Sequence, residues 1–288
     1  MKINLNTFGT SFQKALPTSL KGDYKKTVRE AKEALGIEDG LSILKIHSAS
    51  MPKQDVFDTG IGKLNSDTAL DFVDKMTFYT DTNAIKEFPK GQTTKHYDKF
   101  YCPYWKTVVT FGEENINLLN LVLDKETYGE ILSFNDIKGL NIDSNSGRII
   151  YENELWTNED YPVLKPLRIA YENFKADKNV PDRLKLEFEE FKNQPLVEDT
   201  YARFALYPFI HETEPDLFHN FEYSFVKQNK FEKYKHQYED EIEFFKFRQF
   251  IAKKEHDSAK EKINSKDVDL FGDCLIGFLN QEVWAHPD

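Results

Sequence analysis

The stretch that decides the fold is LSILKIH, Leu41–His47, followed by SDTALDFVDKMTFY, Ser66–Tyr79. The first segment is short, apolar and rich in branched side chains, which is typical of a β-strand. The second begins with Ser66, a good helix N-cap, and its apolar residues recur at near-helical spacing. Between them, the proline, aspartate and glycine content of residues 51–65 predicts a loop. This order of strand, loop and helix predicts one βα unit of an α/β fold.

The segments that follow extend this pattern. NAIKEF, residues 83–88, and VDLFGDCLIGF, residues 268–278, are both strand-like. Between about residues 156 and 265 the chain is mostly charged and aromatic at helical spacing, with prolines as punctuation. The predicted order is strand, helix, strand, helical block and strand. This order predicts a helical insertion inside an α/β architecture.

Composition restricts the classes of function. The chain has 288 residues and a formal net charge of −11, which argues against nucleic acid and anionic membrane as partners, since both favour an excess of Lys and Arg. Two cysteines are too few for a disulfide framework and indicate reduced thiols in a cytoplasmic protein. We expect no signal peptide and no membrane span.

Standard chemical motifs are sparse. The sequence holds no P-loop, no dinucleotide fingerprint and no nucleophile elbow. His211 and His219 bracket acidic residues in HETEPDLFHN, but helix connections are often acidic, so we expect no metal site. The segment 97–105 carries three tyrosines and a tryptophan. Such rings serve either as a platform for the C–H faces of a sugar or as core, and composition leaves both open.

Several motifs, in order along the chain, resemble the N-terminal half of the 4-α-glucanotransferases, the amylomaltase or disproportionating-enzyme family of glycoside hydrolases. The resemblance covers about residues 42–288 and is carried by SASMP, GIGKLN, ALDFVDKM, PKGQT, CPYWKTVVTFGEEN, YPVLKPLRIAYENFK, LVEDTYARFALYPFIHE, EFFKFRQF and GDCLIGFLNQEVWAHPD. The last of these looks like the family's third barrel strand and its loop.

This resemblance implies the first three strands of a partial (β/α)8 TIM barrel with a large inserted helical subdomain. It divides the chain into a 1–40 extension with one helix, 41–125 with the first βα units and aromatic loop, a mainly helical 126–265, and 266–288 with the third strand and loop. In such a barrel, sites lie at the carboxyl ends of the strands.

The resemblance also implies the substrate and the residues that contact it. The family transfers segments of α-1,4-glucan by retaining chemistry with two carboxylates and needs no cofactor or metal. Its substrate-binding positions match Tyr104, Asp273 and Trp284, and Tyr97 is a looser match to a loop tyrosine. For Asp273 and Trp284 a structural role, as a strand-end aspartate that orients a loop and a packed tryptophan, stays open.

The sequence also departs from the family pattern. The family's nucleophile, acid/base and third catalytic carboxylate lie on later strands, so we expect no catalytic residue in this chain. Glu113 and Glu114 stand where the family has small residues, and the loop before Val283 is about two residues shorter than usual.

Three hypotheses follow. The chain is part of a 4-α-glucanotransferase whose other half lies on another segment, a non-catalytic glucan-binding or protein-interaction derivative, or a truncated product without function. Because three strands alone leave sheet edges open, we expect a complementing half or self-association.

Overall fold

The computed structural model describes residues 24–37, 40–46, 51–52, 62–92, 106–138, 163–213 and 231–273, with the single residues Leu275, Glu282 and Ala285. Within them the protein is mostly helical, with one small parallel sheet.

The sheet has three parallel strands in the order β1 (Ile43–Ile46), β2 (Ala84–Glu87) and β3 (Asp269–Gly272). Ala84 of β2 is aligned with Ile43 on one side and Asp269 on the other. The three predicted strands are therefore confirmed, and β2 is the central one. The helical block separates β2 from β3 in sequence but not in space.

The helices of the described residues are short, with one exception. They are α1 (Tyr24–Leu35), α2 (Asp67–Thr80), α3 (Leu118–Leu123), α4 (Lys125–Tyr128), α5 (Phe134–Ile137), α6 (Leu164–Lys175), α7 (Asp182–Lys192), α8 (Tyr201–Thr213), α9 (Phe231–Gln237) and α10 (Glu239–Asn264). A 3-10 turn, Glu113–Asn115, precedes α3, and a π-helical turn, Leu196–Thr200, leads into α8. In the described part of the chain, none of these helices has both the length and the apolar character that crossing a membrane requires.

The βα unit predicted from Leu41–Tyr79 is present. Ser66 caps α2, because its hydroxyl accepts a hydrogen bond from the backbone N–H of Ala69 at 3.1 Å. The helix then returns the chain to β2, which is buried beside β1. The short apolar run was sufficient to locate β1, and the N-cap with the helical spacing of apolar residues was sufficient to locate α2.

Helix α10 links two apolar clusters. Its first half contributes Phe245, Phe247 and Ile251 to the core of the helical block. Its last turns contribute Ala259 and Ile263 to a smaller cluster under the sheet, together with residues of α2 and β2. Because the chain passes directly from α10 into β3, this helix sets the position of the third strand.

Most described aromatic side chains of the helical block form its core. Phe188 of α7 packs edge to face against Phe174 of α6, with ring centroids 5.5 Å apart, and against Phe247 of α10 at 5.8 Å. Tyr201 meets Phe245 in the same edge-to-face manner at 5.8 Å. Such pairs stabilise a core beyond the burial of their area. Packing thus accounts for the buried phenylalanines of this block.

Candidate functional site

Asp273 lies directly after β3, at the carboxyl edge of the sheet. Its backbone N–H donates to the carbonyl of Glu87, at 3.1 Å, which continues the strand pairing. Its carboxylate lies 3.3 Å from Nζ of Lys86 on β2 and 3.9 Å from Nζ of Lys45 on β1. The aspartate side chain is partly buried, and one lysine from each of the other two strands faces it. Asp273 therefore marks the place where the ends of all three strands converge.

A second carboxylate lies at the end of β2. Glu87 is 1% exposed and forms an ion pair with Lys90, three residues further along the chain. His256 of α10 lies nearby, and burial, followed by the positive charge of Lys90, lowers the pKa of its imidazole. The histidine is consequently neutral near pH 7 and adds no positive charge to this edge.

The loop after β2 is held against the segment 106–112. Thr107 donates its backbone N–H to the carbonyl of Gln92 at 3.0 Å, and the Gln92 N–H donates back to the Thr107 hydroxyl at 2.9 Å. Gly91 is required at this crossing, because a β-carbon there would lie 1.6 Å from the carbonyl oxygen of Thr107. The two loop segments are therefore in backbone contact.

Glu113 and Glu114 are buried within this loop region, each 5% exposed. Glu113 accepts from the amide of Gln92 at 2.7 and 2.8 Å and from Gln249 at 3.2 Å. Glu114 pairs with Lys106, also buried, at 2.6 Å. Burial opposes ionisation of Glu114, but the charge and hydrogen bond of Lys106, a backbone hydrogen bond and the charge of Lys63 together keep the pKa below its usual value. Both carboxylates are thus engaged in structural contacts.

Two distant parts of the chain meet at the buried carboxylate of Glu282. It accepts hydrogen bonds from the backbone N–H groups of Val108 and of Val109, the latter at 3.3 Å. Tyr201 of α8 donates its hydroxyl to the carbonyl of Val109 at 2.7 Å. Arg203, also on α8, donates to the carbonyl of Ala285 at 2.7 Å. One helix therefore holds both segments.

Gln249 of α10 completes this framework. Its side-chain oxygen accepts from the backbone N–H of Phe111 at 2.7 Å, and its side-chain nitrogen donates to the Phe111 carbonyl at 3.0 Å. The amide thereby reproduces the pair of hydrogen bonds that a neighbouring strand would give. Gln249 is completely buried, so the position of the loop relative to the helical block is closely fixed.

The predicted substrate-binding residues fall into two groups. Asp273 is described and lies at the strand ends. Tyr97, Tyr104 and Trp284 lie outside the described residues, but Lys106 follows Tyr104 by two positions, and Glu282 and Ala285 flank Trp284. The contacts of Glu282 therefore bring the neighbours of Tyr104 and of Trp284 together. A structural role for Asp273, as the ion-pair partner of two lysines, accounts for its described contacts.

Sequence reasoning missed several residues of this region: Lys45, Lys86, Arg203, Gln249 and Glu282. A strand-end lysine has no distinctive sequence pattern, and a single glutamate is not conspicuous among 49 acidic residues. In the described part of the chain, no group of three His, Cys, Asp or Glu side chains could hold a metal ion. His211 and His219, considered as metal ligands, have no described side chains.

The fold defines an α/β protein with polar loops gathered at the carboxyl ends of parallel strands, where proteins of this class bind ligands. The sequence model of the family described as 4-alpha-glucanotransferase, Glyco_hydro_77, matches residues 46–288, and the chain belongs to this family. The resemblance found in the sequence is therefore confirmed.

A solved structure supports the same fold. The chain is similar to the amylomaltase from Streptococcus agalactiae in complex with acarbose, with a TM-score of 0.60 and 21% sequence identity. The similarity covers 86% of this chain and 46% of the amylomaltase chain, so this chain spans about half the length of that protein. A search among curated proteins gave no match.

Proposed function

We propose that this chain supplies the first three strands and the glucan-binding loops of a 4-α-glucanotransferase-type (β/α)8 barrel acting on α-1,4-glucans. The observation that carries the proposal is the hydrogen bonding of Glu282 to Val108 and Val109. It joins the loop that follows Tyr104 to the segment that contains Trp284, beside the strand ends. Tyr97, Tyr104, Asp273 and Trp284 are the proposed glucan contacts, within the division 1–40, 41–125, 126–265 and 266–288 expected from the sequence.

The exposure of β1 and β3, the outer strands of the sheet, supports a barrel that is completed by additional strands. Ile43 of β1 is 51% exposed and Phe271 of β3 is 40% exposed, whereas Ile85 of β2 is fully buried. Strands of a closed parallel barrel are covered on both faces. We propose that a complementing C-terminal half, or a second copy of the chain, covers these strands, and that the protein acts in the cytoplasm.

The described residues that face the strand ends do not supply a free pair of carboxylates for retaining chemistry. Glu87 and Asp273 are paired with lysines, and Glu113 and Glu114 are bound within the loop framework. Retaining glycosyl transfer needs a nucleophile and an acid/base about 5–5.5 Å apart. We therefore propose that transfer depends on carboxylates from the complementing half and that this chain binds the glucan.

Two measurements test this function. Retention on immobilised amylose is expected for the wild-type chain and is expected to fall in Tyr104→Ala. Tyr79→Ala is a matched control, because Tyr79 is an exposed tyrosine at the end of α2 that leads into the opposite, amino edge of β2. Equal retention of the two variants, or no retention of the wild type, would contradict the proposed binding role.

The second measurement concerns catalysis. Disproportionation of maltotriose is compared for the chain alone and for the chain co-expressed with a segment that supplies the remaining barrel strands. Activity is expected only with that segment. Activity of the chain alone would show that the catalytic carboxylates lie within residues 1–288.

A non-catalytic glucan-binding or protein-interaction derivative is the second candidate. The observation that favours it is the burial of Glu113 and Glu114, at positions where the family has small residues. Lys106 forms an ion pair with Glu114, and Gln92 donates hydrogen bonds to Glu113. Under this alternative, amylose retention persists, but no complementing segment restores transfer.

A further inference from the structure

A lysine of α10 is buried in the helical block, away from the strand ends. Lys246 is 6% exposed, and its chain neighbours Phe245 and Phe247 belong to the apolar core of the block. Lysine is almost never buried in this way unless a partner compensates its charge. The groups around its amine therefore decide what this side chain can do.

The other buried lysines of the described residues are Lys63 and Lys106, and both have a close acceptor. Lys63 donates to the backbone carbonyl of Glu114, and Lys106 donates to the carboxylate of the same glutamate at 2.6 Å. The ion pair of Lys246 is longer, because its Nζ lies 3.8 Å from Oε1 of Glu243. That distance is too long for a hydrogen bond. Of the three, Lys246 is the one without a close acceptor in the described part of the chain.

Glu243 is also shared with a second lysine. Its other carboxylate oxygen accepts from Nζ of Lys192 on α7 at 3.2 Å. Lys192 is paired in addition with Glu189 at 2.9 Å. The carboxylate of Glu243 thus lies closer to Lys192 than to Lys246, and it compensates the more buried ammonium only in part.

Charged groups from four elements face the amine of Lys246. They are Glu243 on α10, Lys192 on α7, Lys235 on α9 and Glu198 on the π-helical turn. Burial lowers the pKa of the Lys246 amine, and the charges of Lys235 and Lys192 lower it further against the opposing effect of the two glutamates. More of this amine is therefore uncharged at a given pH than is usual for lysine, and the uncharged amine is the nucleophilic form.

Access and charge restrict the electrophile that could react there. The side chain of Lys246 is only 8% exposed, which admits a small uncharged molecule such as carbon dioxide more readily than a bulky acyl donor. Addition of carbon dioxide to an amine gives a carbamate, which is an anion. Lys192 and Lys235 would then be counter-ions of the product, so the charges that disfavour the ammonium would stabilise the carbamate.

We propose that Lys246 is a modification site for carbon dioxide, at which its amine forms a carbamate where α7, α9 and α10 meet. The nitrogen lone pair attacks the carbon of carbon dioxide and forms an N–C bond. One C–O π bond opens to give the carboxylate, and the nitrogen releases one proton to solvent. The site then carries a negative charge in place of an amine. This proposal rests on the surroundings of Lys246 and is independent of the proposed glucan function.

The test uses the full chain and bicarbonate, which supplies dissolved carbon dioxide. The protein is incubated with isotopically labelled bicarbonate at mildly alkaline pH, and carbamate is trapped as its ethyl ester with a trialkyloxonium reagent. Digestion and mass spectrometry are expected to locate the labelled ester on Lys246. Lys260, which is exposed on the same helix, is the reference within the same digest and is expected to carry several-fold less label.

Three variants examine the chemistry and its electrostatic basis. Lys246→Arg keeps the positive charge but forms no stable carbamate, so the label at this position is expected to disappear. Lys235→Met removes one counter-ion and is expected to reduce the labelling of Lys246 about fivefold, the factor that corresponds to one lost ion pair. Lys233→Met is the matched control, because Lys233 is exposed on the same helix α9, and labelling should remain as in the wild type.

Each outcome bears on the proposal. Labelled ester on Lys246 that falls in Lys235→Met but not in Lys233→Met supports the site. Absence of ester on Lys246, or as much ester on Lys260 as on Lys246, overturns it. An equal fall in Lys235→Met and Lys233→Met would overturn the assignment of Lys235 as a counter-ion, and with it the electrostatic basis of the site.

Discussion

The carboxylate of Glu282 accepts the backbone N–H of Val108, although 174 residues separate the two in sequence. Val109 donates to the same oxygen at 3.3 Å. A single acidic side chain thus satisfies two loop N–H groups and ties the loop after β2 to the segment after β3. This contact joins two loop segments that strand pairing does not connect.

We predict that Glu282→Ala lowers the free energy of unfolding by about 1–3 kcal/mol, because two part-buried N–H groups lose their acceptor. Glu282→Gln retains a side-chain oxygen and should lose less. Urea denaturation of both variants measures the difference, and amylose retention should fall in the same order. Equal stability of Glu282→Ala and the wild type would show that the contact contributes nothing.

Gly91→Ala is expected to destabilise the protein by about 1–3 kcal/mol or more, since the added methyl group would lie 1.6 Å from the Thr107 carbonyl oxygen and backbone must move. Gly272→Ala is its control, because no atom lies within 4 Å of a β-carbon at that position. Thermal melts should show a lowered Tm for the first variant only. A shift of similar size in both would mean that crowding at Gly91 is not the cause.

The buried pair of Lys106 and Glu114 predicts strong coupling. Removing one partner, as in Lys106→Met, leaves an uncompensated buried charge and is expected to cost about 3–5 kcal/mol. The double variant Lys106→Met with Glu114→Gln should recover part of that loss, because no charge then remains unpaired. A double-mutant cycle in urea measures the coupling, and strictly additive effects would count against the pair.

We expect the contribution of Glu255 to the free energy of unfolding to decrease as pH rises, whereas that of a carboxylate in an ion pair decreases as pH falls. Its pKa is raised in the folded state, chiefly by burial. Its contribution is therefore fully present below its unfolded pKa and is lost as pH rises through the folded value. Relative to Glu255→Gln, the wild type should lose stability as the pH of the urea titration is raised from about 4 to about 8.

Glu114 provides the internal comparison for that experiment. Its folded pKa is lowered, so its contribution is present above the unfolded pKa and is lost as pH falls. The difference between wild type and Glu114→Gln should consequently shrink on acidification. If both differences had the same slope with pH, one of the two assignments would be wrong.

Local sequence features were enough to locate α2 and the three strands, but not the short helices α3 to α5. Ser66, followed by apolar residues at helical spacing, predicted the start of α2. Short apolar runs predicted three strands that lie side by side in one sheet. The contacts that shape the site could not be obtained in this way. Glu282 and Val108, or Gln249 and Phe111, meet only because the helical block folds back, and neither residue of either pair is unusual where it stands.

Asp273 shows an intermediate case. The resemblance to the family singled it out, and the structure places it at the strand ends as expected. Its pairing with Lys45 and Lys86 depends on the register of three strands, one of which enters the sheet about 180 residues after the others. Nothing in the local sequence fixes that register, because it is set by how α10 delivers β3 to the sheet.

The double role of α10 also limits how its length can vary. The helix has 26 residues, and its first half and its last turns pack against different clusters. Each residue of an α-helix advances the side-chain direction by about 100°. Insertion of one residue between Ala252 and Ala259 would therefore turn one packing face away from its cluster, whereas an insertion of about seven would restore both faces. Natural variation in this helix should accordingly occur in steps of whole turns.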